Sequence, residues 1–408
     1  MTSAVALPGA HDEEVRTLVE QNRQLTQQVG AQQKQIDELR ARLDHLEPAV
    51  TAEPSGPSPV ETGRQIRVSG EAGLAFFHSG KNGNFPNSEF RVDEAKVFIE
   101  APLWKNVYFF GGVDLVTRES SDEYFHIGEL YVDVEKLFSA GKNNHLSLRA
   151  GRFNVPFGEE YLVRNVIDNP LITHSLADIW GIDEGVQIYG ALGGLQYNLA
   201  VQNGGRKTLH DYDPDKAVTM RLAFDPAAHL HLSASAMRTG KLNVAYDGLS
   251  EIWFGNSFFR ALGTPATTQT FSVELLELDV IEKWKTGQLK ASVGWINFDD
   301  DSTATNNARH LRYYSLEAQQ QLAGGLSGAV RFSKINADGG YPLAGQSKAW
   351  NYYSSPTTEL QRLSVGLNYR FAAPLVWKVE YSRENGRLLN GTKRGDGDIF
   401  STLLGIKF

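Results

Sequence analysis

The sequence predicts an all-β protein: a transmembrane antiparallel up-and-down β-barrel of about sixteen strands, preceded by an α-helical coiled-coil segment. Three observations carry this. From Arg64 onward the chain divides into alternating segments joined in turn by short turns and long polar loops. No apolar run approaches the ~20 residues that a membrane helix needs. The last segment, Asp398 to Phe408, alternates to a final aromatic residue, as a strand does when it must pair with the first to close a cylinder.

Composition agrees with that class. The 408 residues hold no cysteine, 39 glycines and 11% aromatics, with a net charge of −8 that argues against a nucleic-acid partner. A mean hydropathy of −0.33 fits a membrane barrel, because only alternate residues face lipid. Residues 1–10 lack a basic start and a long apolar core; they read as the small-residue end of a signal peptide or as a disordered terminus.

Residues 11–47 form the first ordered module. Val15, Asn22, Val29, Ile36 and Leu43 occupy heptad a positions, and Leu18, Leu25, Gln32, Leu39 and Leu46 occupy d, which predicts a parallel coiled coil. The Gln-rich flanks offer no second apolar face for packing on the chain's own barrel. β-branched residues at a with Leu at d favour two strands, and Asn22 fixes register. Pro48 ends the helix, and residues 48–63, with Pro54, Pro57 and Pro59, read as an extended tether.

Residues 64–408 make the barrel. Short connections fall near Pro102 to Asn106, Ser139 to Asn144, Gly193-Gly194, Asp225-Pro226, Lys285 to Gly287, Ala323 to Gly325 and Ala372 to Pro374, with long loops between them. This asymmetry belongs to an outer-membrane barrel, whose periplasmic turns are brief and outer loops extended. Leu363, Val365, Leu367, Tyr369 and Phe371 form a row for lipid, as do Leu375, Trp377, Val379 and Tyr381, while Lys378, Glu380 and Ser382 turn inward. Trp104, Tyr108, Trp377 and Phe408 lie near short turns, where an aromatic girdle sits. At this strand number a polar interior implies a water-filled channel. Between Phe271 and Trp284 the apolar row shifts from Phe271, Val273 and Leu275 to Leu276, Leu278 and Val280, as a bulge or a short helix would produce.

The segment Gly151-Arg152-Phe153-Asn154-Val155-Pro156-Phe157-Gly158-Glu159-Glu160 resembles the phosphate-selective porin O and P family. Its members carry a Gly, a polar residue, Phe, a short gap, Pro and Phe or Leu, then an acidic residue, where the fifth strand enters the third loop. Phe90 to Asn106 and Gly128 to Asp133 are similar to the family's second and fourth strands, so the resemblance covers about the first third of the barrel. It implies a homotrimeric, sixteen-stranded porin in outer-membrane lipid, with the third loop folded into the pore and the coil in the periplasm. It also implies diffusion of small hydrophilic solutes or ions, phosphate and other anions among them, with no enzyme activity, cofactor or metal. The implied trimer outweighs the two-stranded preference of the coil.

The charges depart from the phosphate pattern. Glu159, Glu160, Asp168, Asp178 and Asp183 of the third loop stand against Arg152 and Arg164. By parity, Arg149, Arg221, Lys290, Arg331, Arg362, Arg370 and Lys378 face inward, opposed by Glu100, Asp114, Glu129, Asp133, Glu274 and Glu317. Bases on late strands and acids on early ones predict a transverse field across a constriction. Asp299-Asp300-Asp301 reads as a solvated loop or a weak divalent-cation site, and His229 and His231 both point inward without a third ligand. No Gly-x-Ser-x-Gly elbow, His-Glu-x-x-His helix or P-loop appears. The remaining alternatives are an outer-membrane hydrolase and a tether or adhesin that uses the coil.

Overall fold

The computed structural model describes residues 65–116, 125–140, 143–204, 211, 214–244, 268–302, 307–347, 352, 355–395 and 397–408. The coiled coil and the Pro-rich segment lie outside these residues.

The elements in order are β1 (Arg67–Ser79), β2 (Glu89–Trp104), β3 (Val107–Val116), β4 (His126–Ala140), β5 (Asn143–Asn154), β6 (Ile182–Leu192), β7 (Leu195–Gln202), β8 (Ala217–Ala227), β9 (Leu230–Arg238), β10 (Leu242–Asn243), β11 (Thr270–Phe271), β12 (Val273–Trp284), β13 (Gly287–Phe298), β14 (Arg309–Ala323), β15 (Leu326–Tyr341), β16 (Thr357–Ala372), β17 (Leu375–Leu388), β18 (Lys393–Arg394) and β19 (Ile399–Lys407). One sheet holds seventeen of them, of which β18 is a two-residue addition, so sixteen strands build the wall; β10 and β11 form a separate ribbon. Each wall strand pairs antiparallel with its neighbours, β9 pairs with β12, and β1 pairs with both β2 and β19. The wall is therefore closed, each of its sixteen strands being paired on both sides among the described residues.

Closure reaches the last residue. Phe408 donates its N–H to the Gly70 carbonyl at 2.9 Å and accepts from the Gly70 N–H at 3.0 Å. Its ring lies over Gly70, where a Cβ would come within 2.5 Å of the ring. The outward rows read from sequence are outward: Val365, Leu367 and Phe371 are exposed, whereas Ser364, Ser382 and Glu380 are buried. Trp104, Tyr108, Trp377 and Phe408 are exposed near short turns.

Two expectations fail. The β8–β9 turn lies at residues 228–229, because Asp225 and Pro226 belong to a bulge between Phe224 and Ala227. Where the apolar row shifts in the sequence there is neither bulge nor helix; β12, Val273 to Trp284, pairs without a register shift on both sides, and Phe271 belongs to the β10–β11 ribbon. Val273 and Leu275 are inward apolar residues, and the same inward row continues with Glu277 and Asp279, which leaves Glu274 exposed.

The interior is likewise not uniformly polar. Near the long loops the wall turns Val273, Leu275, Ile296, Phe298, Leu311 and Tyr313 inward, packed with Val155, Phe157, Leu176 and Ile179 of the third loop. A second apolar cluster joins Val166, Ile167 and Ile172 to Phe77, Val376 and Leu403. A loop folded inside a barrel needs a dry surface to pack on, and at ~1.5–3 kcal/mol per buried large side chain these contacts dominate its docking.

Candidate functional site

The site is built by the third loop, residues 155–181 between β5 and β6, lying against the inner wall. Its approach follows from the motif in β5. Gly151 has a φ of +136°, and a Cβ there would come within 2.3 Å of the Leu130 carbonyl, so only glycine lets β4 pass this closely. Phe153 and Phe157 are fully buried and carry the chain into the lumen. A short 3-10 helix, Glu160–Val163, then begins the loop's first limb.

Late-strand side chains grip the loop by its backbone. Glu380 accepts from the N–H groups of Ile172 (2.5 Å) and Thr173 (2.8 Å), as well as from the Thr173 hydroxyl. Arg331 donates to the Thr173 carbonyl (2.7 Å) and to Asn169 Oδ1 (2.9 Å) while paired with Glu317. Arg362 donates to the His174 carbonyl at 2.8 Å and pairs with Glu384 at 2.9 Å. Lys378 donates to the Asn169 carbonyl, and Arg370 reaches the Ile167 carbonyl at 3.4 Å. These bases are thus tied to loop carbonyls and to carboxylates.

At the first limb, Glu159 pairs with Arg221 and with His231 Nε2 at 3.1 Å, while His231 Nδ1 meets Asp225 at 2.6 Å. Burial pushes the Glu159 carboxyl up, but the Arg221 charge and hydrogen bonds from Arg221, His231 and Ser233 outweigh it and hold it below its ordinary 4.5. Between this limb and the wall lies a cavity of about 40 Å³, whose charged lining is Glu159, Glu160, Asp279, Lys290, Glu317 and Arg331. Four carboxylates there face two bases. At ~10–15 Å³ per water, the cavity admits about three.

The other residues read from sequence fall as follows. Arg149 points inward, bound to Asp133 at 2.7 Å and stacked 4.0 Å over Tyr131. Arg164 pairs with Asp178 at 2.9 Å on the loop itself. Arg152 is corrected: it sits one residue off the inward row and pairs across the outer face with Glu184 at 2.7 Å. Asp168 is exposed, bonded to Asn165 at 2.8 Å, and does not line the cavity. Asp183 accepts from the Gly204 N–H at the barrel rim. His229 is an exposed turn residue, so only His231 of that pair points inward. Asp300 and Asp301 accept from Thr268, Ser302, Asn307, Gln269 and Thr270, which makes them organisers of two loops.

The transverse field is also corrected. Glu71, Glu94, Glu277, Asp279, Glu380 and Glu384 are buried inward carboxylates that the parity reading left out of the acidic set. Four of them, Glu277, Asp279, Glu380 and Glu384, stand on β12 and β17, so acids and bases are interleaved rather than facing each other from opposite walls. The inward alternation of Lys378, Glu380 and Ser382 carried the signal for Glu380; the misread parity of β12 hid Glu277 and Asp279.

No protein-family model matches the chain, and no curated protein matches it. Solved structures do. The outer membrane channel DcaP of Acinetobacter baumannii superposes with a TM-score of 0.57 at 11% identity, covering 86% of this chain and 100% of that one. The anion-selective porin from Comamonas acidovorans gives 0.53 at 11% identity, covering 85% and 99%. OmpT, an outer membrane protein of Vibrio cholerae, gives 0.53 in its trimer form at 10% identity, covering 85% and 100%. The fold is that of outer-membrane channel proteins.

Proposed function

We propose that the chain is a bacterial outer-membrane porin, a water-filled channel for passive diffusion of small hydrophilic solutes or ions, with weak selectivity that leans to cations. The observation that carries the channel is the closed sixteen-strand wall with the third loop folded inside it, and the lean to cations rests on the cavity beside that loop, where four carboxylates face two bases. Phosphate selectivity by the inward bases is disfavoured, because Arg331, Arg362 and Lys378 hold the loop. The likeness to DcaP and the Comamonas porin supports a channel over a hydrolase. Liposome swelling with neutral sugars of increasing size tests it: a sharp size cut-off is expected, and liposomes that exclude even the smallest sugar would refute it.

A homotrimer with the coil of residues 11–47 in the periplasm belongs to the same proposal. The coil is supported by the heptad seam from Val15 to Leu46, and the trimer, against the two-stranded preference of that seam, by the trimer form of the Vibrio OmpT. Chemical cross-linking in native membranes should give a three-subunit band, and a monomer alone would count against it.

A further inference from the structure

We propose that the third loop holds a zinc-class transition-metal ion between its two limbs, on Glu160, His174 and Asp178. One ligand atom from each lies within 4.8 Å of the others, and all three residues are half-buried. Glu160 stands on the outgoing limb in the short helix, whereas His174 and Asp178 stand four residues apart on the returning limb. His174 Nδ1 is 3.9 Å from Asp178 Oδ2. A tetrahedral ion with bonds of ~2.0–2.2 Å places its ligands about 3.4 Å apart, so the closure needed is well under an ångström for this pair.

The donor set selects the metal. Calcium and magnesium take oxygen ligands alone, while one imidazole with two carboxylates and a water is a set that zinc accepts. The surroundings orient the carboxylates: Arg164 Nε donates to both Asp178 oxygens at 3.1 and 2.9 Å, and Ser175 N–H donates to Glu160 at 2.8 Å. Such second-shell donors fix ligand orientation. The Arg164 charge also weakens attraction for the ion, so the site binds less tightly than a structural zinc centre. A bound ion would staple the limbs and offset the negative charge of Glu160, which lines the cavity. That consequence for ion flow rests on the channel proposed above; the binding does not.

The test is calorimetric titration of Zn²⁺ into the full chain refolded in detergent, with folding checked by heat-modifiable gel migration. One saturable site is expected, weakened about tenfold or more in His174→Gln and unchanged in His229→Gln, whose side chain is in an exposed turn. Asp178→Asn gives a second arm with the same expected loss. Absence of saturable binding, or wild-type affinity in folded His174→Gln, would overturn the proposal, whether or not the protein conducts ions.

Discussion

Glu380→Ala is the substitution that most directly probes how the third loop is held. Glu380 is buried to 1% exposure and accepts from two loop N–H groups, from the Thr173 hydroxyl and from Ser382 at 2.7 Å. Removing it leaves two buried backbone donors without an acceptor, at ~1–3 kcal/mol each, so loop docking should weaken by about 2–6 kcal/mol. Even the lower figure is about a thirtyfold shift toward undocked loop. The wall should survive, because its strands pair independently of Glu380. Arg164, in the loop's first limb, then becomes accessible to trypsin, and single-channel recordings should show raised, noisier conductance. Glu380→Gln keeps one acceptor oxygen for the two N–H groups and should show a milder effect. If Glu380→Ala retains wild-type protease resistance and steady conductance, the clamp does not hold the loop.

Three further outcomes follow from the same geometry. Glu159→Gln with Glu160→Gln should move the reversal potential toward anions, most at low salt where screening is weakest, whereas Asp168→Asn should not, since it does not line the cavity. The Glu159–Arg221 pair should contribute fully above pH 4.5 and be lost as pH falls through the lower folded-state value of Glu159; conductance noise that rises only below about pH 4.5 in wild type, and is present at neutral pH in Glu159→Gln, checks this. Deleting Phe408, or replacing Gly70 by Val under its ring, should slow assembly into the heat-modifiable form, since both disturb the seam where β1 meets the chain end. Normal assembly of both variants would show that the terminal residue does not close the barrel.

The wall of this barrel was legible because period-two alternation is local. Leu363 to Phe371 and Leu375 to Tyr381 state their own faces, and the alternation of short and long connections fixes which end each turn occupies. Arg152 is misplaced when it is grouped with the third-loop charges as part of the motif; counted along β5 from the inward Arg149 it falls on the outer row, where it pairs with Glu184. β12 was misread because its inward face changes character along its length. Val273 and Leu275 meet the apolar side of the third loop, and Glu277 and Asp279 follow below it, so hydrophobicity shifts while the backbone does not. The clamp was hidden more deeply, because partners such as Glu380 and Thr173 are separated by 207 residues and only the fold brings them together.

The central claim is that the carboxylate-lined cavity against the third loop governs ion passage, and the reversal potential of single channels across a tenfold KCl gradient tests it most directly. A small potential favouring K⁺ is predicted, declining as salt rises and crossing toward Cl⁻ when Glu159 and Glu160 are both neutralised. A channel that strongly prefers Cl⁻, is blocked by micromolar phosphate and ignores those two substitutions would contradict it.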